Sequence, residues 1–115
     1  MTAIHLALTL ACVLAIAAGQ ILFKLSARAA AGSAGMPWDF LNVYLFAALA
    51  LYGAATFLWV WLLKTLPLNV AYPFVGLAFV LVPLMGAFFL GESLDWRHLA
   101  GGALIAVGVA VASWR

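Results

Sequence analysis

Gln20 and Lys24 stand four residues apart, a spacing that places both side chains on one face of a helix, at the end of a stretch with no acidic residue from Met1 to Phe23. At membrane depth an unpaired charge costs at least about 2.5 kcal/mol, so Lys24 reads as functional. The competing reading is that its long stem lets the ammonium reach the headgroups. Lys24, Arg28 and Arg97 are expected on one membrane side. Together they can receive a phosphate, with arginine the better fork for paired oxygens. Glu92 is expected there too, either pairing with an amino group on a ligand or forming a salt bridge with Lys24 or Arg97.

Other residues define surfaces. Tyr72, Gly76, Phe79, Pro83 and Gly86 follow a helical period. Their face serves helix packing, alone or together with a substrate surface. Pro83 lies mid-helix, removes a backbone bond and is expected to kink the span as a hinge. Trp59 and Trp61 read as interface anchors, with one of them possible on a cavity wall. Gly101, Ile105, Gly108 and Ala112 form a small-residue stripe, a contact face within one chain or between two. Thr56 is expected to bond the carbonyl one turn back. His5 reads as interfacial. Cys12 is the sole cysteine and reads as a small apolar side chain. No nucleophile–base pair, metal-ligand cluster or glycine-rich phosphate loop is visible, so no catalytic residue, cofactor or metal site is assigned.

The elements that must hold these residues are membrane spans. Of the 115 residues 70% are hydrophobic and 7% charged, whereas soluble domains carry about 25% charged residues. About 20 apolar residues cross a hydrocarbon core. Apolar runs extend over Ala3–Phe23, Leu41–Leu63, Val70–Leu90 and Leu99–Trp114. They predict helices at about 3–27, 40–63, 70–90 and 96–114 in one four-helix domain over 1–115. The last is short, and Trp96 and Trp114 can anchor its ends. The first run is read as a retained helix, since no Lys or Arg precedes it and it is long for a signal peptide. A dispersed net charge of +2 gives no reason to expect nucleic acid.

The loop over residues 28–40 holds Gly32, Ser33, Gly35 and Pro37. Asp39, Asn69 and Asp95 are expected to cap the second, third and fourth helices. Short connections make successive helices antiparallel neighbours. Lys24, Arg28 and Arg97 then oppose Lys64 and Arg115, too small a bias to set orientation. Either unseen features orient the chain, or it inserts both ways or pairs with an oppositely oriented partner.

These residues carry a resemblance over nearly the whole chain. Gly19 with Lys24, Pro67-Leu68-Asn69-Val70-Ala71-Tyr72, and the glycine-bearing fourth helix resemble the small multidrug resistance transporters of the drug/metabolite transporter superfamily. Those exporters carry a glutamate eight positions before the lysine. Here that position is Ile16, which binds neither proton nor cation. Ala18-Gly19-Gln20, Ala71-Tyr72-Pro73, Phe79-Val80, Glu92, Arg97-His98 and Gly101 are more similar to the small subunits of undecaprenyl-phosphate-aminoarabinose flippases.

The resemblance implies an all-α integral membrane protein of the bacterial inner membrane, half of an inverted-repeat transporter, assembled as a homodimer or a heterodimer with a similar small subunit. It implies a lipid-linked sugar moved across the bilayer by alternating access, without ATP hydrolysis by this chain. Gln20, Lys24, Arg28, Trp59, Tyr72, Glu92 and Arg97 are the expected substrate-binding residues, with Pro83 the hinge and Gly101 and Gly108 the dimer contact. Two alternatives stand beside this: export of a small metabolite or drug by the same architecture, and a non-transporting partner that stabilises another membrane protein.

Overall fold

The computed structural model describes residues 2–31 and 41–113. The described residues form helices α1 (Ala3–Ala31), α2 (Val43–Leu63), α3 (Leu68–Ala71), α4 (Ala78–Leu90) and α5 (Trp96–Ser113), with a 3₁₀ segment, Tyr72–Leu77, between α3 and α4. Three helical stretches are long and apolar enough to cross a membrane: Ala3–Ala31, Val43–Leu63 and the composite Leu68–Leu90. Trp96–Ala112 is a shorter apolar helix. The first helix runs past residue 27 through Ala29, Ala30 and Ala31, since alanine is the best helix former.

Helix ends follow local chemistry. Asn42 caps α2, its side-chain oxygen accepting the Leu45 N–H at 3.1 Å. Asp39 lies outside the described residues, as do Gly32, Ser33, Gly35, Pro37, Trp114 and Arg115. At α3 the cap position is Pro67, in extended conformation and with no side-chain cap bond. Asn69 therefore falls one residue inside the helix rather than capping it, because proline favours the helix entrance and sets its φ. Asp95 caps α5 as expected, accepting from the N–H groups of Arg97 at 3.0 Å and His98 at 3.2 Å. Gly91 ends α4 in the left-handed region, φ 69°. The Glu92 N–H then returns to the Gly86 carbonyl at 3.3 Å, closing the helix as glycine C-caps do.

The helix α4 continues through Pro83. The departure from α geometry comes earlier, at Tyr72–Leu77, where Pro73 and Gly76 sit. Three residues per turn there, against 3.6 in the helix, shift the phase of the side chains. The face expected to join Tyr72, Gly76 and Phe79 is split as a result.

Helix α1 packs against α2 and α4, while α5 packs against the 3₁₀ segment and α4. The helices thus lie in the order α2, α1, α3–α4, α5, in a thin body of 52 × 35 × 19 Å. His5 Nε2 lies 3.2 Å from the Thr65 hydroxyl, bringing the start of α1 to the end of α2. Arg28 reaches the Leu90 carbonyl, bringing the ends of α1 and α4 together. The first two helices are therefore antiparallel, and α1 and α4 run the same way. Burial is concentrated on α1, at Thr9, Cys12, Val13, Ala17, Gly19, Ile21, Ser26 and Ala30. Along α4 only Gly86 is buried.

Candidate functional site

Two cavities meet at Ile16. The first, about 310 Å³, lies between α1 and α4 and is lined by Ile16, Gln20, Ala78, Phe79, Val82 and Pro83. The second, about 200 Å³, is walled by α2 and the 3₁₀ segment, with Tyr52, Ala55, Thr56, Trp59, Tyr72 and Val75 around Ile16. Gln20 sits where they adjoin, its amide donating to the Tyr52 hydroxyl at 2.5 Å. The Tyr52 ring can lie there because residue 19 is glycine: a Cβ at Gly19 would collide with that ring. Phe23 flanks the same ring, 5.3 Å between centroids. Thr56 donates its hydroxyl to the Tyr52 carbonyl at 2.7 Å, the expected back-bond that satisfies a hydroxyl within an apolar span. Trp59 meets Tyr72 edge-on at 6.4 Å, so it faces the cavity. Trp61 turns outward beside His5, ring centroids 6.3 Å apart.

Sequence reasoning missed Tyr52. Nothing in the apolar run distinguishes it from Tyr44; only the approach of Gly19 across the helix seam does. Ile16 was noted as the place of a missing carboxylate. In space it is the residue that both cavities share, so the described lining offers an amide, two phenols, a hydroxyl and an indole, and no carboxylate.

The charged candidates lie apart from this lining. Lys24 is exposed, one turn beyond Gln20 on α1. The Arg28 guanidinium donates to the Leu90 carbonyl at 3.1 Å, a helix C-terminus whose dipole favours a cation. Arg97 lies over the Trp96 ring, 5.7 Å from its centroid. The Glu92 carboxylate folds back over α4, its oxygen 2.7 Å from where a Gly86 Cβ would stand. Among the described residues no ion pair joins Glu92 to Lys24 or Arg97. His98 Nδ1 instead lies 3.1 Å from the carboxylate of Asp95, the cap residue three positions before it.

The glycines divide by role. A Cβ at Gly101 or Gly108 would meet nothing within 4 Å, so their side of α5 faces away from the chain's own helices. Gly102 instead faces Val80 at 3.6 Å, and Gly76 faces Val109 at 3.3 Å. A third cavity of about 210 Å³ lies between α4 and α5, with Pro83, Leu84, His98 and Gly102 on its walls. Pro83 thus borders space on both flanks of α4.

The sequence is similar to those of known proteins. The chain is 43% identical over 65 residues to a protein of Pseudomonas syringae pv. syringae (strain B728a) described as a probable 4-amino-4-deoxy-L-arabinose-phosphoundecaprenol flippase subunit ArnE. The match covers 56% of this chain and 60% of that protein. A protein of the same description from Yersinia pestis (strain Pestoides F) is 45% identical over 62 residues, 54% of each chain. The chain thus spans a little over half the length of these curated relatives. No solved structure matches it. The model of the EamA-like transporter family matches residues 1–114. With its long apolar helices, the chain is a multi-pass inner-membrane protein and a member of the EamA-like transporter family.

Proposed function

We propose that this chain flips a lipid-linked sugar, carried as its undecaprenyl phosphodiester, across the inner membrane by alternating access. Helix α5 acts as a fourth span, and a second small subunit, identical or similar, completes the transporter. The observation that carries the reading is the cleft between α1 and α4. Its walls are apolar at Ile16, Ala78, Phe79, Val82 and Pro83, with the Gln20 amide at one edge. Lys24 and Arg28 follow Gln20 along the same face of α1 at successive intervals of four residues. A lipid tail suits the apolar walls, and a phosphate suits the cations beyond them. Arg97 and Glu92 are assigned to the headgroup on the same side, and Trp59 and Tyr72 to the sugar in the adjoining cavity.

A second reading is export of a small solute. It is favoured by the second cavity, whose Tyr52, Thr56, Trp59 and Tyr72 could hold a small molecule without any lipid. The role of a non-transporting partner is weakened by the presence of both cavities.

Translocation of an undecaprenyl-phosphate-linked amino sugar in reconstituted vesicles tests the reading. Lys24→Ala is expected to abolish transport with insertion and assembly intact. Lys24→Arg should retain part of the activity, since charge survives while donor geometry changes. Wild-type rates for Lys24→Ala and Lys24→Gln would remove Lys24 from the site. With Ile16 at the junction of the cavities, no carboxylate there can exchange a proton for a cation. Expression should therefore confer no resistance to quaternary ammonium compounds. Proton-driven efflux of such a cation by the purified protein would refute that exclusion and favour the small-solute reading.

A further inference from the structure

We propose that Arg28 is a phosphate-operated latch on the lateral opening between α1 and α4. The inference rests on the flippase reading above for its trigger, a lipid phosphate, and adds how the cleft opens to admit the lipid.

The latch is a single bond at a free helix end. The last carbonyls of a helix have no intrahelical donor. At α4 the Gly91 and Glu92 N–H groups both return to the Gly86 carbonyl, which leaves the Leu90 carbonyl to a donor from elsewhere. Arg28 supplies it, at 3.1 Å. This bond joins the end of α1 to the end of α4. Little of the tip is buried among the described residues: Phe88 and Phe89 are 84% and 65% exposed, and Gly86 is the one buried residue of α4.

The root of the same segment is weak as well. Pro83 lacks the N–H that would bond the Phe79 carbonyl, and such positions are where helices bend. It borders cavities on both flanks of α4, so movement there meets empty space. Residues 83–90 are thus a stub pinned at its tip by Arg28 and softened at its base by Pro83.

A phosphate competes for the pin. A guanidinium binds two anionic oxygens in a fork, a stronger arrangement than one bond to a neutral carbonyl. Lys24, four residues before Arg28 on the same face and exposed, offers the first charge that an arriving phosphate would meet. Transfer of the guanidinium from the Leu90 carbonyl to the phosphate releases the stub. The gap between α1 and α4 then widens beside the first cavity, where the lipid chain enters sideways.

The test measures that gap directly. Spin labels at positions 27 and 89, both exposed, are placed in a Cys12→Ala background. The protein, diluted with unlabelled chain, is held in phosphatidylcholine nanodiscs. Undecaprenyl phosphate should lengthen the distance between the labels by several ångströms, and undecaprenol should not. A shift with inorganic phosphate alone would retain the latch and make free phosphate a sufficient trigger. Arg28→Gln should show the long distance without ligand. Arg28→Lys, which keeps a charged donor, should rest closed and serves as the folding control. Pro83→Ala should stay closed with undecaprenyl phosphate present.

The latch is overturned if unliganded Arg28→Gln matches unliganded wild type, or if wild type does not respond to undecaprenyl phosphate. Vesicle assays run in parallel separate the two ideas. Transport with a fixed gap sinks the latch and spares the flippase reading. A moving gap without lipid translocation sinks the flippase reading and spares the latch.

Discussion

The seam between α1 and α2 is built differently from the seam between α4 and α5. The first is stitched along its length. His5 meets Thr65 at one end, and the Cys12 thiol donates to the Ala55 carbonyl at 3.3 Å. Gln20 bonds Tyr52 near the middle, and the Asn42 amide donates to the Ser26 carbonyl at 3.2 Å near the far end. The second seam relies on glycine and apolar contact, Gly102 against Val80 and Gly76 against Val109, and it encloses a cavity. In lipid, helix association draws on close packing and interhelical hydrogen bonds, since tails are as apolar as the side chains. Burial follows: 28% of the apolar window of α1 is inside the protein, against 6% for Leu68–Leu90. The α1–α2 seam is thus held by hydrogen bonds as well as packing, and the α4–α5 seam by packing around a cavity.

Single methyl groups should break this contrast in opposite directions. The largest effect is expected from Gly19→Ala, whose Cβ cannot share space with the Tyr52 ring. Overpacking of this kind costs about 1–3 kcal/mol, and displacing the ring also threatens the Gln20 bond. A lower unfolding midpoint in detergent is the measurement, and an unchanged midpoint would mean the first seam is not tightly fitted. Gly102→Ala should do the reverse. Its Cβ would stand in ordinary contact with Val80 at 3.6 Å, and alanine is favoured over glycine inside a helix by about 1 kcal/mol. The midpoint should rise slightly; a fall would show the second seam to be as tight as the first. Gly108→Leu should change the chain's own stability least, because nothing of the chain lies within 4 Å of a Cβ there. Its effect is expected on association with a second subunit, read by crosslinking in membranes. Unchanged association, with α5 facing lipid, would remove that face of α5 from the assembly.

Elements fixed by composition or by one local rule were legible in the sequence. The apolar runs marked the helical stretches but not the 3₁₀ break at Tyr72–Leu77, and Asp95 announced the start of α5. Thr56 announced its own back-bond. What required three dimensions was everything set by neighbours far along the chain. Tyr52 gains its place from Gly19, 33 residues earlier. Arg28 was expected to meet a phosphate, and its reach to the carbonyl of Leu90, 62 residues on, could not be read from the chain. Gly102, not Gly101, is the glycine that packs inside the chain, because adjacent helical positions point about 100° apart. The periodic face from Tyr72 to Gly86 failed as one surface for a local reason, the change of helical pitch at Tyr72–Leu77. The Asn69 cap failed because Pro67 had already begun the helix.

The unequal lengths of α1 and α5 carry a consequence for the membrane itself. With 29 residues, α1 is about 43 Å long, and with 18 residues, α5 is about 27 Å, at 1.5 Å per residue. A typical hydrocarbon core is about 30 Å thick. The long helix must tilt or project into the headgroups, while α5, as the fourth span proposed above, would draw the bilayer inward. Two helices of one molecule would then ask for different thicknesses, and a thinning of the surrounding lipid would relieve α5 as it exposes α1.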